Sequence, residues 1–528
     1  MSLTGTRVPL PQDLLVHRAV EAHAHRHPER TAVTCGRQSL TFAELNARAN
    51  RTAHLLAARG VGRGSVVGVC LDRTPELMTT ILGVLKAGAA YVPLDPSYPA
   101  ERLELMLGQL DRVKVNVASA ETRGLVAGAF ADTLVLEDET DALASAPATD
   151  PGVEMANDDL CYVVFTSGST GTPKATAVRH DGWYNLLEWL RLAYRLDHDS
   201  SGLSVSSFGF DISQRGLMAP LFTGAAIHLL PSRSFDPGMA YRLIAEHGVK
   251  TLHCAPSTLY LLTDLELMRG TDALMAVDYV FIGGEPLNTA RVEEWATREG
   301  NGCTLLHQYG VAECTDVATS HVLADYPRYR TGPTPVGTPV YNTEIRLLDD
   351  RLREVPDGET GEICISGRSV SAGYLNGSPE DARRFTETET GTDGRRERIY
   401  RTGDLGRITP EGELVVVGRA DTQVKIRGMR IDLGDVEHRV RAHPAVRDAV
   451  VLALPDPAGE TSLVAFVLAA GDAVEPRTLR ADLLAALPRN MVPQEFVPLP
   501  SFPLNPNGKT DRRALAAAAR PAPHPAGA

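Results

Sequence analysis

Short apolar runs alternate with amphipathic stretches through much of the first four hundred residues. Ser65–Cys70 is a short β-branched run, and Thr74-Pro75 then provides an N-cap and a proline at the first helical position. One apolar helix face follows, in the positions i, i+4, i+7 and i+8: Leu77, Ile81, Val84 and Leu85. Gly88 ends this helix, and Tyr91–Leu94 begins another extended segment. Such strand–helix–strand units predict a mainly parallel sheet covered by helices.

The pattern changes near Asp357, where glycines punctuate shorter strands such as Glu362–Ile365. This texture predicts a more antiparallel, β-rich part of the chain. A short polar break, Gly418–Asp421, then separates the strand-like runs Leu414–Val417 and Gln423–Ile426. The break is a candidate hinge.

A smaller unit is expected beyond this break. Val450–Leu454 and Leu463–Val467 are strand-like, and Leu479–Leu487 is helix-like, which together predict a small α+β unit of ordinary domain size.

The length of 528 residues also requires more than one domain, because single cores rarely extend so far. The expected fold is α/β, with a large N-terminal domain over residues 1–420 that combines mainly parallel sheets, helices and a β-rich part. Residues 421–515 are expected to form a small, mobile α+β C-terminal domain. The Ala/Pro-rich residues 516–528 are expected to be a disordered tail.

Composition narrows the class of protein. The formal net charge of −13 argues against a nucleic-acid or anionic-membrane partner. No apolar run approaches the ~18–20 residues that span a bilayer, and the N-terminus has no secretory pattern. Seven scattered cysteines without a C-x-x-C pair predict reduced thiols rather than disulfides or a zinc site. A cytoplasmic protein is therefore expected.

The strongest local signal is a loop after the apolar run Leu160–Phe165. It reads Thr166-Ser167-Gly168-Ser169-Thr170-Gly171-Thr172-Pro173-Lys174. Glycines allow close backbone approach, hydroxyl and N–H groups donate to oxyanions, and a lysine neutralises charge. These are the components of a polyphosphate-binding loop, although the Walker A pattern does not align with it. A solvated polar turn is the alternative interpretation.

With this loop included, nine short motifs in order resemble those of the adenylate-forming superfamily, specifically a nonribosomal peptide synthetase adenylation domain. The similarity runs from about Val16 to Leu515. The other motifs are Leu40–Leu45, Leu85–Asp95, Phe210–Ser213, Tyr309–Glu313, Tyr400–Leu405, Gly418–Gly428, Leu487–Pro493 and Pro506–Lys509.

The resemblance implies an enzyme that converts a carboxylate and MgATP into an acyl-adenylate and pyrophosphate. Thr166–Lys174 would hold the β- and γ-phosphates, and Glu313 would ligate Mg²⁺. Tyr309 would stack on adenine beside the backbone of Gly283–Glu285, which includes Gly284. Asp404 would accept hydrogen bonds from the ribose hydroxyls. The catalytic Lys509 would bridge the substrate carboxylate and the α-phosphate.

The resemblance also implies a second half-reaction. Asp421 would be the pivot about which the small domain rotates, so that the phosphopantetheine arm of a carrier protein can enter. By the same resemblance, Arg419 would bind ATP. Arg419 and Lys425 would also belong to the interface of the rotating domain. An MbtH-like helper protein is a further expected partner. No carrier domain follows Lys509 in this sequence, which leaves open a stand-alone enzyme or a segment of a larger synthetase.

In the amino-acid-activating members of the family that this sequence resembles, an aspartate at the position of Asp211 pairs with the α-ammonium group of the substrate. The resemblance therefore implies an α-amino acid substrate, because an unpaired buried carboxylate would be costly. The positions that correspond to the side-chain pocket are Ile212, Arg215, His253, Phe281, Gly283, Gln308, Asp316 and Val317. Arg215 could pair with a substrate carboxylate, or with Asp316, which would leave the pocket merely polar. The expected substrate is a polar amino acid. An acidic or amide side chain is the first expectation, and a basic side chain is the second.

Three departures from the family pattern predict slow adenylation: Ala175 after the lysine, Val311-Ala312 before Glu313, and His307 near the adenine position. Two rival functions also remain open. One is an acyl- or aryl-CoA synthetase of the same fold, against which Asp211 argues. The other is a non-catalytic nucleotide-binding scaffold.

Overall fold

The structure is a computed structural model, and it describes residues 2–128, 132–166, 173–330, 332–390, 395–419, 423–456, 460–471, 475–503 and 510–519. Contacts divide the chain into two units. The first comprises Met1–Phe165 and Lys174–Asp421, and the second comprises Thr422–Ala528 together with Thr166–Pro173.

Some helices of the first unit begin at a cap or a proline. Helix α2 starts with a capping box between Thr41 and Glu44, and α3 starts at Pro75. The helices of this unit are α1 (Val16–Arg26), α2 (Phe42–Ala58), α3 (Pro75–Lys86), α4 (Ala100–Leu107), α5 (Thr140–Ser145), α6 (His180–Ala193), α7 (Asp211–Thr223), α8 (Pro237–His247), α9 (Pro256–Arg269), α10 (Glu293–Ala296) and α11 (Pro379–Ala382).

The strands of this part of the chain form three sheets. They are β1 (Ser2–Thr4), β2 (Thr31–Cys35), β3 (Gln38–Thr41), β4 (Val66–Cys70), β5 (Ala90–Pro93), β6 (Val113–Ala118), β7 (Asp132–Val135), β8 (Leu160–Thr166), β9 (Lys174–Arg179), β10 (Gly202–Ser204), β11 (Ile227–Leu229), β12 (Thr251–Cys254), β13 (Tyr279–Gly283), β14 (Thr304–Tyr309), β15 (Thr319–Val322), β16 (Thr338–Pro339), β17 (Thr343–Leu348), β18 (Gly361–Gly367), β19 (Gly373–Tyr374), β20 (Phe385–Thr390), β21 (Arg395–Ile408) and β22 (Leu414–Arg419).

The predicted strand–helix–strand rhythm is present in two sheets. One has the order β19-β9-β8-β5-β4-β6-β7, and its neighbours from β8 to β7 pair in parallel. The other has the order β16-β15-β14-β13-β12-β10-β11-β2-β3, with a parallel centre from β14 to β2. One hydrophobic core joins both sheets to α2, α3, α6 and α7, and it includes Tyr91, Trp183, Phe281 and Leu306.

The third sheet is antiparallel, with the order β1-β17-β18-β21-β20 and β22 paired to β21. The β-rich part therefore begins before Asp357, since β17 ends at Leu348 and pairs with β1 at the start of the chain. The expected boundary at Asp357 was wrong on this point. Strand β1 has only three residues, too few to show a hydrophobic periodicity, and its partner β17 lies about 340 residues away in the sequence. The sequence pattern therefore could not reveal this pairing.

The second unit contains three α-helices and five strands among its described residues. They are β23 (Gln423–Ile426), β24 (Met429–Asp432), α12 (Leu433–Arg441), β25 (Val446–Pro455), β26 (Thr461–Ala469), α13 (Pro476–Ala486), β27 (Glu495–Pro498) and α14 (Arg512–Ala518). β25, β26 and β27 form a three-stranded sheet, so this unit is α+β as expected.

The expected tail from residue 516 starts too early. Ala516–Ala518 complete α14, whose N-terminus is capped by the Asp511 carboxylate, and Leu515 is fully buried. Residues 520–528 lie outside the described part of the chain. Within the described part, no helix has both the length and the apolar character needed to cross a membrane.

Candidate active site

Four of the expected pocket residues lie together because they are at the ends of neighbouring parallel strands. His253 on β12 is opposite Phe281 on β13, and Gly283 is opposite Gln308 on β14. The carboxyl ends of parallel strands share one edge of a sheet, which is where open α/β sheets usually bind ligands. The strand pairing therefore gathers residues that are far apart in the sequence.

Helix α7 brings Asp211 and Arg215 to this edge. The helix starts at Asp211, after the extended Phe210, and Arg215 follows one turn later on the same face. The backbone N–H of Ile212 donates to Asp211 Oδ1 at 2.8 Å. Asp211 is therefore the first residue of a buried helix that packs on β10 and β12.

The loop before α7 is held by two residues that the sequence analysis did not assign to the site. Asp95 Oδ2 accepts from Ser207 Oγ at 2.5 Å and from the Phe208 N–H at 2.8 Å. Gln214 Nε2 donates to the Phe208 carbonyl at 2.6 Å. These hydrogen bonds hold the loop that leads into α7 and so fix the position of Asp211, the first residue of the helix.

Arg215 pairs within the protein. Its Nε lies 2.6 Å from Asp316 Oδ2, and its Nη1 donates to Gln308 Oε1. The Nε does not form a hydrogen bond of good geometry, so its contact with Asp316 is chiefly coulombic. The Arg215 side chain is only 1% exposed. Of the two alternatives for Arg215, the structure therefore has the pair with Asp316.

His253 stacks on Phe281, with ring centroids 4.7 Å apart and an angle of 15° between the planes. Burial, reinforced by the nearby Arg215 guanidinium, lowers the pKa of His253 well below its usual range. The imidazole is therefore neutral at physiological pH. Neither ring nitrogen has a hydrogen-bond partner among the described residues.

The segment after β14 makes a tight turn that returns Asp316 toward Gln308. Gly310 permits it, because a Cβ at this position would lie 1.9 Å from the Asp316 carbonyl oxygen. Thr315 and Asp316 both have positive φ, at 55° and 70°. The Thr315 hydroxyl donates to the Ser369 carbonyl at 2.7 Å, which stabilises the turn.

A second group of side chains surrounds Asp404. The Tyr309 hydroxyl donates to Asp404 Oδ2 at 2.7 Å, and Arg419 Nη1 donates to Oδ1. Asp404 and Arg419 are direct partners in the register of β21 and β22. Burial, and then the adjacent carboxylate, raises the pKa of the Tyr309 phenol well above its usual range. Tyr309 therefore remains a hydrogen-bond donor throughout the neutral range.

A third group links Lys174 to Glu313. Lys174 Nζ lies 2.5 Å from Asp381 Oδ1 and 5.7 Å from the centre of the Tyr374 ring. The Tyr374 hydroxyl donates to Glu313 Oε1 at 2.6 Å and also contacts the Tyr400 hydroxyl. Glu313 is fully buried. Although burial opposes ionisation of Asp381, hydrogen bonds from Lys174 and the Ser378 backbone lower its pKa.

Tyr374 and Asp381 were missed by the sequence analysis. Tyr374 follows Gly373 in the short strand β19, and Asp381 lies in the four-residue helix α11. Their spacing along the chain from Lys174 is about 200 residues, so only the pairing of β19 with β9 reveals the contact. No local sequence signal could have assigned them.

The remaining expected residues are placed as follows. Ile212 and Val317 are buried, and Gly284 has a positive φ of 88°. Glu285 accepts from the Ser257 N–H at 3.2 Å. Thr166 ends β8. The following predicted site residues lie outside the described part of the chain: Ser167, Gly168, Ser169, Thr170, Gly171, Asp421 and Lys509.

His307, one of the departures from the family pattern, is held by a contact with the backbone. His307 Nδ1 lies 2.8 Å from the Pro335 carbonyl oxygen, so this ring nitrogen bonds to the backbone. His307 is buried on β14, one residue before Gln308. Its ring is therefore anchored within the sheet edge.

The donor set at Glu313 is compatible with magnesium. The described residues contain no cluster of three or more His, Cys, Asp or Glu side chains, so no all-protein metal site is present among them. Mg²⁺ is commonly held by one or two carboxylates together with substrate phosphates. A single buried carboxylate, Glu313, therefore fits a Mg²⁺ ion whose other ligands come from ATP.

Comparisons with known proteins agree with this geometry. Residues 20–375 match the family described as AMP-binding enzyme, and residues 435–509 match the AMP-binding enzyme C-terminal domain. The dimodular nonribosomal peptide synthase of Bacillus subtilis is 34% identical over 508 residues, which are 94% of this chain and 21% of that protein.

Two further similarities span almost the whole chain. Phosphinothricin tripeptide synthetase PhsC of Streptomyces viridochromogenes is 38% identical over 508 residues, 95% of this chain and 45% of that protein. The chain thus spans less than half the length of these two curated relatives. The solved structure of holo-PA1221, an NRPS protein containing adenylation and PCP domains, matches with a TM-score of 0.83 at 27% identity. That match covers 96% of this chain and 85% of the other.

Proposed function

The chain belongs to the family of AMP-binding enzymes and is an ATP-dependent, AMP-forming ligase, and on this premise we propose that it activates an α-amino acid for nonribosomal peptide or related natural-product biosynthesis. The substrate carboxylate attacks the α-phosphorus of ATP, forming an aminoacyl-adenylate and releasing pyrophosphate. The phosphopantetheine thiol of a carrier protein then attacks the acyl carbon, which forms a thioester and releases AMP.

The observation that carries this proposal is the segment Gln308–Asp316. Gln308 and Asp316 contact Arg215, one helical turn from Asp211. Tyr309 contacts Asp404, and Glu313 contacts Tyr374 beside Lys174. One short segment therefore touches three groups of side chains with different chemistry. An amino acid, a ribose and a phosphate with its metal are the ligands that these groups suit.

The ribose and adenine would be held by the Asp404 group. Asp404 carries two carboxylate oxygens, each with lone pairs beyond those used by Tyr309 and Arg419, so it can accept from ribose hydroxyls. The Tyr309 ring would stack on adenine beside Gly284 and Glu285. Its hydroxyl donates to Asp404 and would thereby orient both parts of the nucleoside site.

The phosphates would be held by Lys174 together with Thr166–Gly171. Lys174 would leave Asp381 and pair with the β- and γ-phosphates, which carry greater negative charge. Glu313 would hold Mg²⁺, whose charge stabilises the departing pyrophosphate. Lys509 would bridge the substrate carboxylate and the α-phosphate, and rotation at Asp421 would later withdraw it.

The amino acid would bind with its α-ammonium group against Asp211. Its side chain would meet Ile212, Arg215, His253, Phe281, Gly283, Gln308, Asp316 and Val317. Buried polar groups without partners favour a substrate that supplies hydrogen bonds. We therefore infer a polar side chain.

Amino-acid-dependent exchange of labelled pyrophosphate into ATP tests the adenylation step. We expect exchange with a small set of polar amino acids, with Glu313→Gln and Asp404→Asn each lowering kcat/KM at least about tenfold through loss of charged contacts. Asp264→Asn is the matched control, since this exposed carboxylate pairs with Arg291 on the surface. Absence of exchange with all proteinogenic amino acids, with and without an MbtH-like helper, would refute the proposal.

Thioester formation tests the second step. We expect labelled amino acid to appear on a phosphopantetheinylated peptidyl carrier protein and not on free coenzyme A. Efficient coenzyme A acylation without carrier loading would instead identify an acyl- or aryl-CoA synthetase. The ATP requirement is compatible with the cytoplasmic location expected from the sequence.

A further inference from the structure

The side-chain group around Arg215 is neutral as a whole. The guanidinium is paired with the Asp316 carboxylate at 2.6 Å, and their side chains are 1% and 10% exposed. His253 carries no charge, because burial keeps its pKa far below neutrality. Gln308 and Phe281 complete the group and are uncharged. A ligand with a net side-chain charge would leave this buried group unbalanced.

The same group has more unpartnered donors than acceptors. Gln308 accepts from Arg215 through its side-chain Oε1. The Nε2 amide of Gln308 is buried and has no hydrogen-bond partner among the described residues. Arg215 Nη2 is likewise buried without a partner in the described part of the chain. Both groups are donors only. The neutral His253 ring contributes one donor and one acceptor, both also without partners there.

Unpartnered buried donors are costly unless a ligand supplies acceptors. Asp211 and Arg215 lie one turn apart on α7. An amino acid whose α-ammonium group pairs with Asp211 would therefore have its side chain within reach of this group. The acceptor would have to come from the distal end of that side chain.

From this we propose that the amino-acid substrate has a neutral side chain ending in a carbonyl oxygen, an amide or a ureide, rather than a carboxylate or an ammonium group. The inference rests on the proposed amino-acid activation. The carbonyl oxygen accepts from Arg215 Nη2 and Gln308 Nε2, and the amide N–H donates to His253. The Arg215–Asp316 pair excludes side chains that carry a charge.

Matched amide and acid substrates test the inference in the wild-type protein. Pyrophosphate exchange should give a kcat/KM for glutamine, asparagine or citrulline at least about tenfold above that for glutamate, aspartate, lysine and ornithine, because mispaired buried charges cost more than that. A preference for any charged or apolar member would overturn it.

Charge-changing variants test the role of the pair. Asp316→Asn leaves Arg215 uncompensated and should shift the preference toward the acid of each amide–acid pair by at least about tenfold. Arg215→Gln leaves Asp316 uncompensated and should shift it toward lysine or ornithine. The double variant Arg215→Gln/Asp316→Asn restores neutrality and should retain the amide preference at a lower rate. Asp264→Asn should leave the preference unchanged.

Three outcomes are distinguishable. Shifts of opposite sign in the two single variants support the inference, and thermal unfolding verifies that each variant is folded. If one single variant does not fold, the other and the double variant still test the sign. Unchanged preference in folded single variants would mean that the pair is structural and would overturn the inference alone. Absence of exchange with every amino acid in the wild type would overturn the proposed function as well.

Discussion

Tyr309 is expected to perform two tasks that one substitution can separate. Its ring would stack on adenine, and its hydroxyl donates to Asp404 at 2.7 Å. Tyr309→Phe keeps the ring and removes only the hydrogen bond. Asp404 would then retain Arg419 as its partner but lose the group that fixes the second carboxylate oxygen.

The magnitude follows from the contacts. A hydrogen bond to a charged group contributes about 1.5–3 kcal/mol, which is roughly tenfold to a hundredfold in an equilibrium constant. Because Arg419 still orients Asp404, we expect the lower end, about a tenfold rise in KM for ATP with a smaller change in kcat. Tyr309→Ala removes the ring as well and should raise KM further.

The assay is pyrophosphate exchange at saturating amino acid, with ATP and 2′-deoxy-ATP as alternative nucleotides. Wild-type protein should discriminate against the deoxynucleotide, and Tyr309→Phe should reduce this discrimination, since a less ordered carboxylate reads the hydroxyl less well. The matched control is Tyr241→Phe. Tyr241 also donates to a buried carboxylate, Glu266, at 2.8 Å, but it lies in the core around α8 and α9.

The control variant should lose stability without a change in KM for ATP. If Tyr309→Phe left both KM and the deoxynucleotide discrimination within about twofold of wild type, the assignment of Asp404 to the ribose would be refuted. A large effect of Tyr309→Ala alone would then restrict Tyr309 to stacking.

Three further predictions concern other parts of the first unit. Tyr374→Phe removes the hydroxyl bond to Glu313, and a titration of exchange activity with magnesium should show about a tenfold higher requirement; an unchanged requirement would separate Glu313 from the metal. Lys86→Met deprives Glu21 and Asp150 of a buried cation, and chemical denaturation should show a loss of roughly 1–3 kcal/mol with unchanged KM for ATP; no loss would contradict a stabilising role. Burial lowers the pKa of His180 to about 4, so protonation favours the unfolded state. The free energy of unfolding should therefore fall by about 3 kcal/mol as the pH falls from 6.5 to 4, with the full stability present above pH 6.5. Urea titrations of His180→Gln should show a smaller dependence of this free energy on pH, and the same dependence as in wild type would contradict the prediction.

Local sequence signals correctly predicted several elements. Thr74-Pro75 precedes α3, and its apolar face, Leu77 to Leu85, is buried. The runs Leu160–Phe165 and Val450–Leu454 lie within strands. The Thr74 side chain makes no capping hydrogen bond, so Pro75 and the apolar periodicity account for the correct prediction of α3. Such signals act over a few residues. β1 was not predictable, since its stability comes from pairing with β17.

Within the candidate site, the predictable residues belong to short motifs, such as Tyr309–Glu313 and Tyr400–Leu405, which contains Asp404. Their assignments to ATP, metal and amino acid remain predictions. Tyr374, Asp381 and Asp95 were missed, because each acts through a contact with a residue distant in the chain. The partner of Arg215 was also undecidable from sequence, since a substrate carboxylate and Asp316 were both chemically competent.

The sequence by itself determined which residue types are present, where helices and strands nucleate, and which chemistry the motifs can support. Those properties depend on interactions between near neighbours. Only the tertiary structure decided that Arg215 is neutralised by Asp316, because this contact depends on α7, on the end of β14 and on the turn that Gly310 permits. The net charge of the side-chain group around Arg215, which would face the substrate, depends on residues from different elements. Those residues are brought together only when the chain folds.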